Sequence, residues 1–126
     1  MAFVCPRCLV SGSLEINLAM QLPADSRSDD ITVQIVECNQ CKFYGLAVYE
    51  ESRRGALELE AWEHTGYWLE ADSDGIITEI KSCPEPMNAN CRCPSHVALG
   101  QSDARGRWQG LVRLQHLRTF PMRMVL

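Results

Sequence analysis

Two pairs of cysteines constrain this chain more than any other feature. They are Cys5-Pro6-Arg7-Cys8 and Cys38-Asn39-Gln40-Cys41, with 29 residues between them. A Cys-x-x-Cys turn points both sulfurs at one spot, and two such turns supply the four thiolates of a tetrahedral metal site. The chain has seven cysteines, an odd number, so they cannot all pair with one another. Its start, Met1-Ala2-Phe3-Val4-Cys5, has no basic patch followed by a long apolar run. A cytoplasmic location is therefore expected, where thiols stay reduced and closely spaced cysteines more often bind metal than each other.

The remaining three cysteines fall within fourteen residues, from Cys83 through Cys91 and Cys93 to His96. Three thiolates and one imidazole form an accepted zinc set, and with it no cysteine is left over. A second structural ion would order a Pro- and Asn-rich segment that has few other means of ordering itself. Three other readings stay open. Cys91 and Cys93 are a reactive dithiol, since a Cys-x-Cys ring is strained; the cysteines are unliganded; or His96 points away and leaves a catalytic zinc an open position.

Between the two pairs, 13–21 reads as a strand, with Leu14, Ile16 and Leu18 alternating with Glu15 and Asn17. Residues 31–37 return as a second strand with Ile31, Val33 and Ile35 on one face. The polar loop between them has no apolar anchor beyond Pro23 and Ala24, so it is expected to be mobile. A third strand is expected over 43–51, a turn at 52–55 and a strand over 56–63. The aromatic stretch Trp62 to Trp68 reads as a cluster around a turn at Gly66. A helix capped by Asp72 or Ser73 is expected to run to about Ser82, with Ile76, Ile77 and Ile80 on one face. Residues 83–100 read as irregular, and 108–117 and 120–126 as extended.

The two knuckles, the hairpin between them and the third strand resemble a zinc ribbon over about residues 3–51. That resemblance implies a metal and a local fold; the family's members bind DNA, RNA or proteins, or form structural lobes of enzymes. The ligand spacing is also similar to rubredoxin, which implies iron and electron transfer as the alternative. Both patterns commonly place a glycine after a knuckle's second cysteine. Here Leu9 and Lys42 stand there. The intervening segment also lacks rubredoxin's aromatic residues, so Zn2+ is expected at Cys5, Cys8, Cys38 and Cys41, with Fe the minor alternative. Four thiolates leave no open position, so this ion would be structural.

Charge is distributed unevenly. The formal net charge is -4 and the sequence pI is about 5.3. Yet 97–126 carries five arginines and only one acid, Asp103. Arg105, Arg107, Arg113 and Arg118 with Trp108 form the best candidate for nucleic-acid or partner contact, because arginine pairs with phosphate and aromatics stack on bases. The same arginines can instead neutralise Glu50, Glu58, Glu60 and Glu63 across a sheet. His64, among Trp62, Tyr67 and Trp68, reads first as the edge of a core and second as a stacking pocket. His116 belongs to no triad motif. Glu70-x-Asp72-x-Asp74-Gly75 opens like a calcium loop, but Lys81 stands where the closing glutamate belongs. No run approaches the roughly 18 apolar residues of a membrane span.

The expectation is an α+β, β-rich fold, with a zinc-ribbon module over 1–52 packed against a mixed part over 53–126. Two Zn2+ ions are expected, and a non-catalytic role with a protein partner and no membrane. The alternatives are a nucleic-acid-binding ribbon and a thiol- or zinc-dependent enzyme working through the second cluster. Oligomeric state is not legible.

Overall fold

The computed structural model describes residues 2–52, 61–69 and 75–124. Among these residues, six antiparallel strands lie in chain order: β1 (Ala2–Phe3), β2 (Leu14–Leu22), β3 (Asp30–Cys38), β4 (Tyr44–Ser52), β5 (Ala61–Trp68) and β6 (Thr119–Pro121). Three short helices, α1 (Ile76–Ser82), α2 (Pro94–Leu99) and α3 (Gly110–Leu114), fall between β5 and β6. The sheet curls into a half-barrel. Its two ends come together where Phe3 bridges Met124 and the Val4 N–H donates to the Arg123 carbonyl at 3.0 Å. The fold is thus β-rich α+β.

β3 is the central strand, and apart from its half-buried Asp30 and Glu37 it is buried on both faces. Ile31, Val33 and Ile35 point to the helix-covered side, where they meet Leu46, Val48, Ile76, Ile80, Leu99 and Trp108. Val36 and Cys38 point the other way, into a second core with Phe3, Leu14, Phe43 and Phe120. Trp108 seats its indole in the first core and donates Nε1–H to the Leu99 carbonyl at 2.8 Å.

β2 serves both cores because it contains a bulge. The pairing runs Leu14↔Cys38 and Ile16↔Val36, then shifts so that Leu18 faces Ile35, Met20 faces Val33 and Leu22 faces Ile31. An extra residue at Asn17 reverses the side-chain phase. Leu14 and Ile16 therefore belong to one core and Leu18, Met20 and Leu22 to the other. The sequence alternation had placed Leu14, Ile16 and Leu18 on one face; the bulge separates them.

Other expectations are corrected in the same physical terms. The stretch 62–68 is no turn but β5, with Gly66 paired to Phe120. The Phe120 ring packs against Gly66 so closely that a Cβ there would lie 2.2 Å from it, so glycine is required mid-strand. The segment 83–100 is not wholly irregular: Cys93 caps α2, Pro94 opens it and Gly100 ends it. The segment 108–117 holds α3 rather than a strand, and the extended part after 119 is short. The loop 23–29 is anchored through a buried carboxylate, as described below. Of the strand expected over 56–63, residues 56–60 lie outside the described residues and 61–63 belong to β5, which spans Ala61–Trp68. The turn at 53–55, the cap at Asp72 or Ser73 and the acidic run 70–74 also lie outside them. α1 itself begins at Ile76 after Gly75, whose φ is 74°, and it ends at Ser82 as expected.

Candidate metal centres

The first cluster sits where two turns meet at one end of the curled sheet. Residues 5–10 connect β1 toward β2, and residues 38–43 connect β3 to β4. The turns are built alike. Each is closed by the N–H of its first cysteine on the carbonyl five residues on, Cys5 to Val10 at 3.5 Å and Cys38 to Phe43 at 2.8 Å. Each holds a residue in the left-handed region directly after its second cysteine, Leu9 at φ 63° and Lys42 at φ 66°. These are the two positions where glycine was missing from the sequence pattern. The backbone keeps the knuckle conformation and tolerates an unfavourable φ to do so.

That conformation turns N–H groups toward sulfur. The Arg7 N–H approaches Cys5 Sγ at 3.4 Å, and the N–H groups of Gln40 and Cys41 approach Cys38 Sγ at 3.3 and 3.4 Å. Cys5 and Cys41 Sγ are 3.6 Å apart, and Cys8 and Cys38 Sγ 3.7 Å. Four sulfurs about 2.3 Å from a central zinc ion form a tetrahedron with edges of about 3.8 Å. The separations match that edge, and all four sulfurs lie within 4.8 Å of one another. Ser13 was not singled out from the sequence. Its hydroxyl donates to the Val10 carbonyl at 2.8 Å and stands 3.3 Å from Cys38 Sγ.

The two buried sulfurs of this cluster differ electrostatically. Burial pushes the Cys5 thiol up to about 12, against the opposing N–H groups of Cys8 and Arg7. Burial also acts upward on Cys38, but there the Cys41 N–H, the Ser13 hydroxyl and the Gln40 N–H outweigh it and bring the thiol down to about 6. The surroundings of Cys38 thus favour its thiolate, whereas those of Cys5 favour the thiol until a cation offsets its burial.

The second cluster is built on α2. Cys93 Sγ accepts the His96 N–H at 3.3 Å and so caps the helix, while His96 lies one turn along. Cys83 follows α1, and Cys91 closes the Asn-rich loop by donating its N–H to the Asn88 carbonyl at 3.0 Å. Cys83 Sγ lies 3.6 Å from Cys91 Sγ and 3.3 Å from His96 Nδ1, with all four donors within 4.8 Å. His96 is 1% exposed. Its Nε2 is 2.8 Å from the Gln21 main-chain carbonyl, which can only accept, so Nε2 carries the proton and Nδ1 faces the sulfurs. A carbonyl behind a histidine in this way fixes ring and tautomer for metal ligation. His96 does not point away. Burial raises the Cys83 thiol to about 11, whereas the His96 N–H lowers that of Cys93. A cavity of about 420 Å³, lined in part by Pro23, Cys91, Arg92 and His96, opens beside this cluster.

The two clusters occupy opposite ends of β2. Leu14 lies against the first, and Gln21 holds His96 of the second while its own N–H donates to the Pro86 carbonyl at 2.8 Å. The strand between Leu14 and Leu22 spans roughly 26 Å.

The arginines singled out from sequence are not gathered into one surface. Arg107 is held by Asp25 and by Glu50, 2.8 Å from Oε1 of the latter. Arg113 pairs with Glu79 at 2.9 Å. Arg105 is exposed, and Arg118 stacks its guanidinium 4.6 Å from the Trp68 ring centroid. Trp108 is 3% exposed and offers no face for stacking. His64 donates Nε2–H to Gln34 Oε1 at 2.6 Å and packs edge-on to Phe3. Its burial lowers its pKa. His116 is exposed.

These features define a β-rich domain with two four-donor cysteine clusters, each positioned to hold a metal ion. Comparison with protein-family models, with curated proteins and with solved structures returned no match. Among the described residues, no helix is long and apolar enough to cross a membrane.

Proposed function

We propose that this protein is a zinc-clamped interaction module, with one structural Zn2+ in each cluster and no catalytic chemistry at either. The observation that carries this reading is that both clusters are complete. Each offers four donors within 4.8 Å of one another, a full set for a tetrahedral ion that leaves no coordination position for a substrate or activated water. The cavity beside the second cluster is lined in part by Cys91 and His96, two of the four donors already counted. The donor sets suit zinc; iron at the first cluster is the competing metal. A protein partner is favoured over nucleic acid because Arg107 and Arg113 are engaged internally and Trp108 is buried.

Elemental analysis of untagged protein purified without added metal tests this. Two zinc ions per chain are expected. His96→Ala is expected to retain one ion, and to lower the melting temperature by roughly 10 °C as the segment around α2 loses its clip. A zinc-dependent hydrolytic activity abolished by Cys91→Ser with the fold intact would instead establish the enzyme reading. Iron in the first cluster would favour electron transfer.

A further inference from the structure

Next to the first cluster is a groove of about 230 Å³, and we propose that it docks a short protein segment carrying an apolar side chain beside carboxylates. Pro6, Leu9, Trp68, Phe120 and Pro121 line it together with Arg118 and Arg123. The volume falls below the roughly 300–1,000 Å³ of small-molecule sites and suits side chains of a peptide.

Charge supplies the first argument. Acids outnumber bases by 16 to 12, and Arg27, Arg107 and Arg113 each have a carboxylate partner. Arg118 and Arg123 are exposed, and among the described residues no acidic group pairs with either. The Arg118 guanidinium carbon lies over the Trp68 ring, 4.6 Å from its centroid, a cation–π contact that positions the side chain at the groove. Two such arginines beside an apolar lining complement an acidic segment with an apolar anchor.

Leu9 supplies the second. It occupies a left-handed conformation that disfavours any β-carbon, and its side chain is 71% exposed. The equivalent position in the other turn is Lys42, so the turn itself does not demand an apolar residue there. Val10 beside it is 44% exposed. An exposed leucine held at an unfavourable φ and lining a groove points to contact with something outside the fold. Nucleic acid fits less well. Trp68 has Arg118 over its ring and edge contacts with Phe43 and Phe120, so it is no platform for a base.

This inference rests on the reading of the protein as an interaction module, and its test separates the two. Metal-loaded full chain would be titrated into fluorescein-labelled Glu-Glu-Leu-Phe-Glu-Glu, into the same peptide with serines for its central pair, and into a short oligothymidylate, following anisotropy. Saturable binding of the first peptide is expected, with the serine peptide at least about tenfold weaker. Leu9→Gly, which keeps the turn and removes the side chain, and Arg123→Gln should each weaken binding about five- to tenfold. Trp62→Ala, away from the groove, should leave it unchanged. The proposal is overturned by absence of binding, by equal binding of the serine peptide, by indifference to Leu9→Gly and Arg123→Gln, or by tighter binding of the oligothymidylate. If any of these occurs in chains that still carry two zinc ions and melt cooperatively, the groove assignment fails while the zinc-clamped reading stands.

Discussion

Arg107 closes over Asp25, 82 positions earlier in the chain, and the Asp25 oxygen that it engages also accepts the Trp108 N–H at 2.7 Å. The other oxygen accepts the N–H groups of Arg27 at 2.9 Å and Ser28 at 2.6 Å. Ser28 in turn donates its hydroxyl to Glu50, which Arg107 also contacts. A loop with almost no apolar residues is thereby fixed to the C-terminal segment through Asp25 and to β4 through Glu50.

Burial acts to raise the Asp25 pKa, but the N–H groups of Trp108, Ser28 and Arg27, with Arg107, outweigh it and bring it from 3.8 down to about 2. A depressed carboxylate stabilises the fold above its unfolded pKa. That contribution, about 2 kcal/mol, is complete at neutral pH and drains away as pH falls from about 4 toward 2. Asp25→Asn should cost about 2–3 kcal/mol at pH 7. Denaturation of both proteins across pH 7 to 3 checks this, and a stability gap that does not narrow below about pH 4.5 would count against it.

Lys42 provides a separate test of the knuckle geometry. Its φ of 66° costs an L-residue about 1–2 kcal/mol, which glycine avoids at some entropic expense in the unfolded chain. Lys42→Gly should therefore leave stability unchanged or raise it by up to about 1 kcal/mol, whereas Lys42→Val should lower it by about 1–2 kcal/mol. Denaturant midpoints of the zinc-loaded proteins decide; a stabilising valine would mean that the turn is not left-handed in solution.

Gly66 tests the pairing of β5 with β6. A Cβ at this position would stand 2.2 Å from the Phe120 ring, so Gly66→Ala should destabilise by about 2–3 kcal/mol through overpacking. In a double-mutant cycle, Phe120→Leu should recover part of that loss. Strict additivity of the two changes would show that the residues do not touch.

The features read correctly from sequence were those with local signatures. Cysteine spacing brought out both clusters, and alternation of Ile31, Val33 and Ile35 gave β3 and its buried face. Where the reading failed, a distant partner set the local structure. Gly66 looked like a turn because nothing nearby says that Phe120 needs its space. The loop at Asp25 looked unanchored because its partner is Arg107. α3 is five residues long, too short to show a helical period. The arginine-rich tail looked like a surface, yet Glu50 and Glu79 claim two of its members. Ser13 and Gln21 escaped notice because neither ligates; one stands behind a sulfur, and the other offers only its backbone.

The bulge at Asn17 makes β2 one strand written in two reading frames. Upstream of it, even-numbered residues face the core beside the first cysteine cluster; downstream, even-numbered residues face the core beneath the helices. Deleting that single residue would join Ile16 directly to Leu18, opposite the consecutive residues Val36 and Ile35, so the ladder would close without a bulge and each half would keep its face. The unbroken apolar alternation from Leu14 to Leu22 thus encodes two opposite surfaces, and the bulge lies where they meet.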